Sequence, residues 1–140
     1  MNRETRGYDN VEVGDCLPEL TLPLTPTLII SCAIASRDYQ DVHHDRDLAV
    51  ARGSKDIFMN ILTTNGFVGR FITDWAGPEA LLRKVDIKLG APNYAGDTMT
   101  LRGTVADKAD GVVTVEVIGQ NELGPHVTGK VEVTLPAAAK

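Results

Sequence analysis

Apolar residues along this chain follow two periods, and the change from one to the other divides it. Leu20, Leu22 and Leu24 alternate with Thr21 and Pro23, the pattern of a short strand, and a proline that cannot donate to a ladder predicts an edge position. Thr25-Pro26-Thr27 offers a hydroxyl cap and a proline for a first turn, so a short helix is predicted over 28–35. Residues 36–47 are too polar and irregular for either element and read as a loop or tight turn. One or two helical turns follow over 46–53, closed by Gly53, and 54–59 is a connector. From 60 to 75, Ile61, Leu62, Phe67, Val68, Phe71, Ile72 and Trp75 recur at gaps near three and four, which predicts a helix of about four turns with one broad apolar face. Asn60 can cap it, and Gly77-Pro78 ends it. Gly66 falls inside this helix, where glycine costs roughly 1 kcal/mol against alanine. The expectation is a neighbour packed too close for a Cβ.

Beyond residue 80 the period is two. Strands are predicted over 82–89, 98–106, 112–120 and 126–135, separated by Gly96-Asp97, Ala109-Asp110-Gly111 and Leu123-Gly124-Pro125. Runs such as Val113-Thr114-Val115-Glu116-Val117 give each strand one face for a core and one for water. The predicted order is strand, helix, loop, long helix, then an antiparallel meander. A helix and a sheet with one apolar face each satisfy one another when the sheet wraps around the helix, so the class is α+β. Residues 1–16 are expected as a flexible lead-in, 17–135 as a single domain and 136–140 as a disordered tail.

Composition narrows the function. A chain of 140 residues gives one domain with a real core. A net charge of −5 with dispersed basic residues argues against nucleic acid, which needs a clustered basic face. Cys16 and Cys32 form no C-x-x-C pair and lie near no histidine at ligand spacing, so neither zinc nor a disulfide framework is indicated. With a polar N-terminus and no long apolar run, a cytoplasmic protein with no membrane segment is expected.

Chemistry concentrates in residues 36–47, which hold two of the three histidines and four acids. No other segment gathers proton-transfer groups this way, and loops on a rigid scaffold are where such groups converge on a ligand. Asp38 and His43 are the candidates. His43-His44-Asp45 lacks a third ligand at a recognised spacing, so no metal is expected.

Asp38-Tyr39-Gln40-Asp41-Val42-His43-His44-Asp45 resembles the hydratase motif of MaoC-like, hotdog-fold enoyl-CoA hydratases. In that motif an Asp and a His five residues later flank an Asn-Pro pair, with an acid two residues beyond the His. Here Gln40-Asp41 stands where Asn-Pro is usual and Arg37 where a glycine is usual. The longer pattern, with Gly53-Ser54-Lys55-Asp56-Ile57-Phe58 and Thr73-Asp74-Trp75-Ala76-Gly77-Pro78, is similar to one branch, the small subunits of steroid side-chain enoyl-CoA hydratases of cholesterol-degrading bacteria. The similarity runs from about Leu17 to Leu135 and implies a hotdog fold, an antiparallel sheet wrapped around one long central helix. It also implies Asp38 and His43 as an acid–base pair that adds water to an acyl-CoA thioester. No cofactor is implied, since the substrate carries coenzyme A, and the partner implied is a larger MaoC-like subunit.

In the family an HG-type pair starts the long helix and its glycine N–H holds the thioester oxygen. Counting from Asp38 without a gap places Asn60-Ile61 there, so the resemblance implies the Ile61 N–H as oxyanion donor. Asn65-Gly66 would need a five-residue insertion and a donor in the helix interior. Asp45 is expected to hold the loop through backbone N–H groups, His44 to be a solvated neighbour and His126 a surface histidine. Lys84, Lys88 and Arg102 lie on predicted strand faces that solvent covers by default, though each is a candidate for CoA phosphate contact. Two rival readings stand beside this one: a homodimeric hydratase for ordinary acyl-CoA or acyl-carrier-protein substrates, and a non-catalytic hotdog subunit that shapes a partner's site.

Overall fold

Both periods become regular structure in the computed structural model, which describes residues 4–138. Strand β1 (Leu20–Pro23) leads into α1 (Pro26–Ala35), whose first turn is capped by the Thr25 hydroxyl accepting from Leu28 N at 3.1 Å. A 3₁₀ turn over Asp41–His43 and a short helix α2 (Arg46–Ala51) precede the long helix α3 (Ile61–Ala76). Strands β2 (Leu81–Leu89), β3 (Thr98–Ala109), β4 (Val112–Asn121) and β5 (Gly124–Thr134) follow. They join β1 in one antiparallel sheet of order β1-β3-β4-β5-β2. Pro23 therefore sits on an edge strand, where its missing N–H leaves no gap in a ladder.

Only β3, β4 and β5 form the expected meander. The β3–β4 turn is Asp110-Gly111, with φ of 52° and 79°, the left-handed pair that matches the twist of a two-residue hairpin. Strand β2 pairs instead with β5 at the far edge, since it leaves α3 through the Gly77 turn and stays beside that helix. Residues 90–97 then carry the chain across to β3.

Helix α3 packs its apolar face on the sheet. Val68, Phe71, Ile72 and Trp75 are buried in one cluster with Met99, Leu101, Val105, Val115 and Val131, each large side chain gaining roughly 1.5–3 kcal/mol by leaving water. A Cβ at Gly103 would stand 2.9 Å from Phe71 Cε1, so the glycine on β3 sets how closely the helix approaches. Gly66 departs from expectation, because no atom beyond its own stretch of helix backbone lies within 4 Å of where its Cβ would be. Among the described residues, no helix is long and apolar enough to cross a membrane.

The described part of the N-terminal lead-in is packed on the domain. Val11 is 1% exposed, Arg6 N donates to Ala76 O at 2.9 Å, and Gly14 N donates to Val105 O at 2.8 Å. Lys108 Nζ donates to the carbonyls of Tyr8 and Val11 at 2.9 and 2.6 Å. Buried Val11 and these carbonyls give the segment a reason to dock that its polar composition hides. It in turn holds the C-terminal end, where Tyr8 N donates to Pro136 O at 2.8 Å. Residues 139 and 140 of the expected tail lie outside the described residues.

His126 is buried, at 4% exposure, where a surface position was expected. Its Nδ1 lies 2.6 Å from Ala91 O and its Nε2 2.8 Å from Thr64 Oγ1. A carbonyl only accepts, so Nδ1 carries the proton and the Thr64 hydroxyl donates to Nε2 in the neutral ring. The ring thus ties β5 to α3 and to the crossing loop. Burial holds its pKa below the ordinary value of 6.5, against the opposing pull of the Ala91 carbonyl. A lowered folded pKa means that below about pH 6.5 the unfolded chain binds a proton that the folded chain does not, so stability falls as pH drops through that point and is flat above it. Urea unfolding at pH 7.5 and 5.5 is expected to show a larger acid loss for the native chain than for His126→Gln, and equal losses would contradict this.

Candidate active site

The C-terminal end of α1 fixes the backbone of Asp38. Arg37 takes the left-handed conformation at φ 58°, which costs a side-chain-bearing residue roughly 1–2 kcal/mol. In return Arg37 N donates to Ile34 O at 3.0 Å and Asp38 N to Ala33 O at 2.9 Å, the paired bonds of a Schellman ending. Arg37 stands where a glycine is usual because this ending needs positive φ. The 3₁₀ turn Asp41–His43 follows, braced by Arg52 Nη2 donating to Asp41 Oδ2 at 2.8 Å. Asp45 caps α2 by accepting from Leu48 N at 3.0 Å.

His43 is buried and turns inward. Its Nδ1 lies 2.7 Å from Phe58 O, and its ring meets the Phe58 ring edge-on at 4.9 Å between centroids. The carbonyl fixes the proton on Nδ1, so in the neutral ring the Nε2 lone pair is free. Nε2 is 3.5 Å from Asp38 Oδ2. Two acceptors at that spacing are both satisfied by one water donating to each.

Asn60 joins this pair to α3. Its Oδ1 accepts from Thr63 N at 3.2 Å and from the Thr63 hydroxyl, capping the helix. Its Nδ2 donates to Asp38 Oδ2 at 3.1 Å and to Ser36 Oγ at 3.0 Å. The bond from Asn60 is the largest influence lowering the Asp38 pKa below the ordinary carboxylate value. Gln40 N at 3.3 Å and the nearby His43 add to it, and partial burial opposes it. Asp38 is therefore a carboxylate at neutral pH.

Ile61 follows as the first residue of α3, 54% exposed, and its N–H is among the first-turn donors that no carbonyl within the helix can accept. Gly66 lies in the helix interior, where the N–H belongs to the helical ladder. Asp38, His43, Asn60 and the start of α3 are thus together, while His44 is exposed at the turn's end. Lys84 pairs with Asp86 at 3.2 Å and Arg102 with Glu19 at 2.6 Å, on exposed strand faces. Ser36, Thr63 and the Phe58 carbonyl belong to the site without having been expected there. Ser36 and Thr63 each stand at a helix end, which is a usable signal, whereas a backbone carbonyl carries none. Among the described residues no three His, Cys, Asp or Glu gather to hold a metal ion.

A five-stranded antiparallel sheet packed on one long helix, with this pair at the helix start, defines a hotdog fold of the hydratase type. No family model matches the chain. The beta subunit of 3-oxo-4,17-pregnadiene-20-carboxyl-CoA hydratase of Mycobacterium tuberculosis is 58% identical over 123 residues, covering 88% of this chain and 95% of that one. A chain in the crystal structure of the ChsH1-ChsH2 complex from Mycobacterium tuberculosis matches with a TM-score of 0.87 and 57% identity, over 89% of this chain and 98% of that one. The unliganded R-hydratase PhaJ1 from Pseudomonas aeruginosa shares the fold, with a TM-score of 0.84 and 22% identity over 94% of this chain and 86% of that one. The chain belongs to the MaoC-like hotdog enoyl-CoA hydratases, which are hydro-lyases.

Asn60 has two separable duties. Asn60→Ala is expected to lose the cap, at about 1 kcal/mol, and to let the Asp38 pKa rise. Asn60→Ser keeps a capping oxygen but not the amide donor to Asp38, so it is expected to recover most of the stability while the pKa stays raised. Urea unfolding and a carboxyl NMR titration of Asp38 read the two effects, and an unchanged titration in both variants would refute the coupling.

Proposed function

We propose that this chain is the catalytic subunit of a heteromeric hydratase that adds water to the α,β double bond of a steroid side-chain acyl-CoA. The observation that carries the reading is the Asp38–His43 pair, 3.5 Å apart at a helix N-terminus, in a chain 58% identical to a subunit named for a 3-oxo steroid enoyl-CoA. In the compound of that name the double bond starts at C17, so the carbon that water attacks belongs to the steroid ring.

Water donates one hydrogen to Asp38 and one to His43 Nε2. As its oxygen bonds to Cβ, the O–H bond facing His43 breaks and that proton moves to Nε2. The double-bond electrons shift through Cα to the thioester oxygen, and the returning pair takes the proton from the imidazolium to Cα. His43 is the base and then the acid, with its tautomer set by the Phe58 carbonyl. Asp38 keeps its charge, orients the water and stabilises the passing imidazolium; its lowered pKa makes it a weak base. The Ile61 N–H, aided by the dipole of α3, holds the charge that builds on the thioester oxygen.

Support for a heteromer comes from the naming of the relative as a beta subunit and from the β2 edge. That edge exposes Leu81, Leu82 and Leu89, and an unpaired apolar edge strand invites a second chain.

Asp38→Asn and His43→Ala are each expected to lower the kcat of the assembled enzyme by about 10²–10⁴, with assembly unchanged by sizing. Retained activity would make this chain a scaffold for a partner's site. Co-expression with the neighbouring genes, followed by assays on a steroid 17-enoyl-CoA and on crotonyl-CoA, tests the substrate. Rapid turnover of crotonyl-CoA by the isolated chain with none of the steroid would favour the homodimeric reading. Ile61→Pro tests the oxyanion donor, since proline is tolerated in the first helical turn and Asn60, at φ −78° and ψ 160°, already has the backbone a following proline requires. Its expected effect is a loss of about 10²–10³ in kcat with the helix intact by circular dichroism, and an unaltered kcat removes Ile61 from the mechanism.

A further inference from the structure

Gly66 presents a conflict between helix stability and packing. It weakens the middle of α3, yet nothing lies within 4 Å of its missing Cβ, so no neighbour in the chain requires it. What lies there is an open cavity of about 350 Å³ between α1 and α3, in the size range of small-molecule sites. Leu62, Phe67, Cys32 and Ala35 make its walls almost wholly apolar. One end reaches Ser36 and Thr63, both bonded to Asn60 and so adjoining Asp38. Toward the other end lies Arg70, half-exposed and held by Asp74 at 3.2 Å.

Resting on the steroid reading above, we propose that this cavity holds the fused rings of the substrate and that Arg70 donates a hydrogen bond to the 3-oxo oxygen. Thr63 and Arg70 are seven residues apart on one helix, a rise of about 10 Å. Four fused rings place the 3-oxo oxygen a comparable distance from C17, the carbon presented to Asp38 and His43. The apolar walls match the ring skeleton. Arg70 supplies the one strong donor that this end of the molecule needs, and the Asp74 carboxylate occupies only part of its guanidinium. Gly66 leaves the floor of the cavity flat where rings would lie along the helix.

The test uses whichever assembled form of the enzyme hydrates the 3-oxo steroid enoyl-CoA, with the same skeleton lacking the 3-oxo oxygen and crotonyl-CoA as comparison substrates. Arg70→Met is expected to lower kcat/KM for the 3-oxo compound about tenfold more than for its deoxo analogue, the worth of one charged hydrogen bond, with Arg70→Lys intermediate. Gly66→Val, whose Cβ meets open space, is expected to cost the steroid about a hundredfold more than crotonyl-CoA. Equal losses on the paired substrates, or loss of assembly by sizing in either variant, would overturn the inference, the second by giving the groove to a partner chain. A native enzyme that hydrates neither steroid fails the steroid reading itself, whereas one that hydrates both with equal kcat/KM fails only the role of Arg70.

Discussion

The site depends on a single amide side chain. Asn60 accepts at its oxygen from the first turn of α3 and donates from its nitrogen to Asp38. One planar group thus fixes where the helix begins and where the carboxylate sits, and it lowers the carboxylate's pKa. The donor and acceptor ends of an amide are a fixed distance apart, so the carboxylate and the helix terminus cannot drift relative to each other. An aspartate at position 60 would cap equally well, but would set a second negative charge against Asp38 and raise its pKa. Asparagine supplies both functions without a charge.

A second constraint is the rigidity of the loop between the two catalytic candidates. The family motif places Asn-Pro in this stretch, and a proline limits the backbone directly. Here Gln40-Asp41 achieves restraint by other means: the Schellman ending before it, the 3₁₀ turn that starts at Asp41 and the Asp41–Arg52 ion pair across it. The ion pair is exposed and contributes little stability alone. Its value is geometric, since it ties the turn to the end of α2, and Asp45, whose N–H donates to Asp41 O at 2.8 Å while its side chain caps α2, ties the start of that helix to the same turn.

Much of this was legible in the sequence. The 3.6-residue spacing from Ile61 to Trp75 gave α3, alternating valines gave β4, and Pro23 gave an edge. The Asp38 and His43 stretch singled itself out by composition alone. What escaped was non-local. Nothing in residues 82–89 says that they pair with β5 rather than with β3, because both strands alternate alike. His126 between Pro125 and Val127 gives no sign that Thr64 and Ala91 will enclose it. The lead-in looks loose because one buried valine and a series of backbone bonds, rather than an apolar run, hold it down. The Phe58 carbonyl, which sets the His43 tautomer, has no side-chain signature at all.

Gly66 is the most instructive of these errors. A glycine inside a regular element normally reports a close neighbour, and that inference works at Gly103 on β3, where Phe71 fills the space. At Gly66 the same reasoning fails within the chain, and its failure carries information. A residue that weakens its helix and is required by no contact is accounted for by something outside the fold. The apolar cavity beside it is lined by Ser36 and Thr63, both bonded to Asn60, and so adjoins Asp38. Local disagreement between propensity and packing is expected where function has displaced stability. Here it falls on the same helix that carries the cap, the oxyanion candidate and Arg70. That helix therefore carries one gradient of chemistry, from charge and hydrogen bonding at Asn60, through an apolar middle at Gly66 and Phe67, to a cation at Arg70, and a molecule polar at both ends and apolar between them is what such a gradient fits.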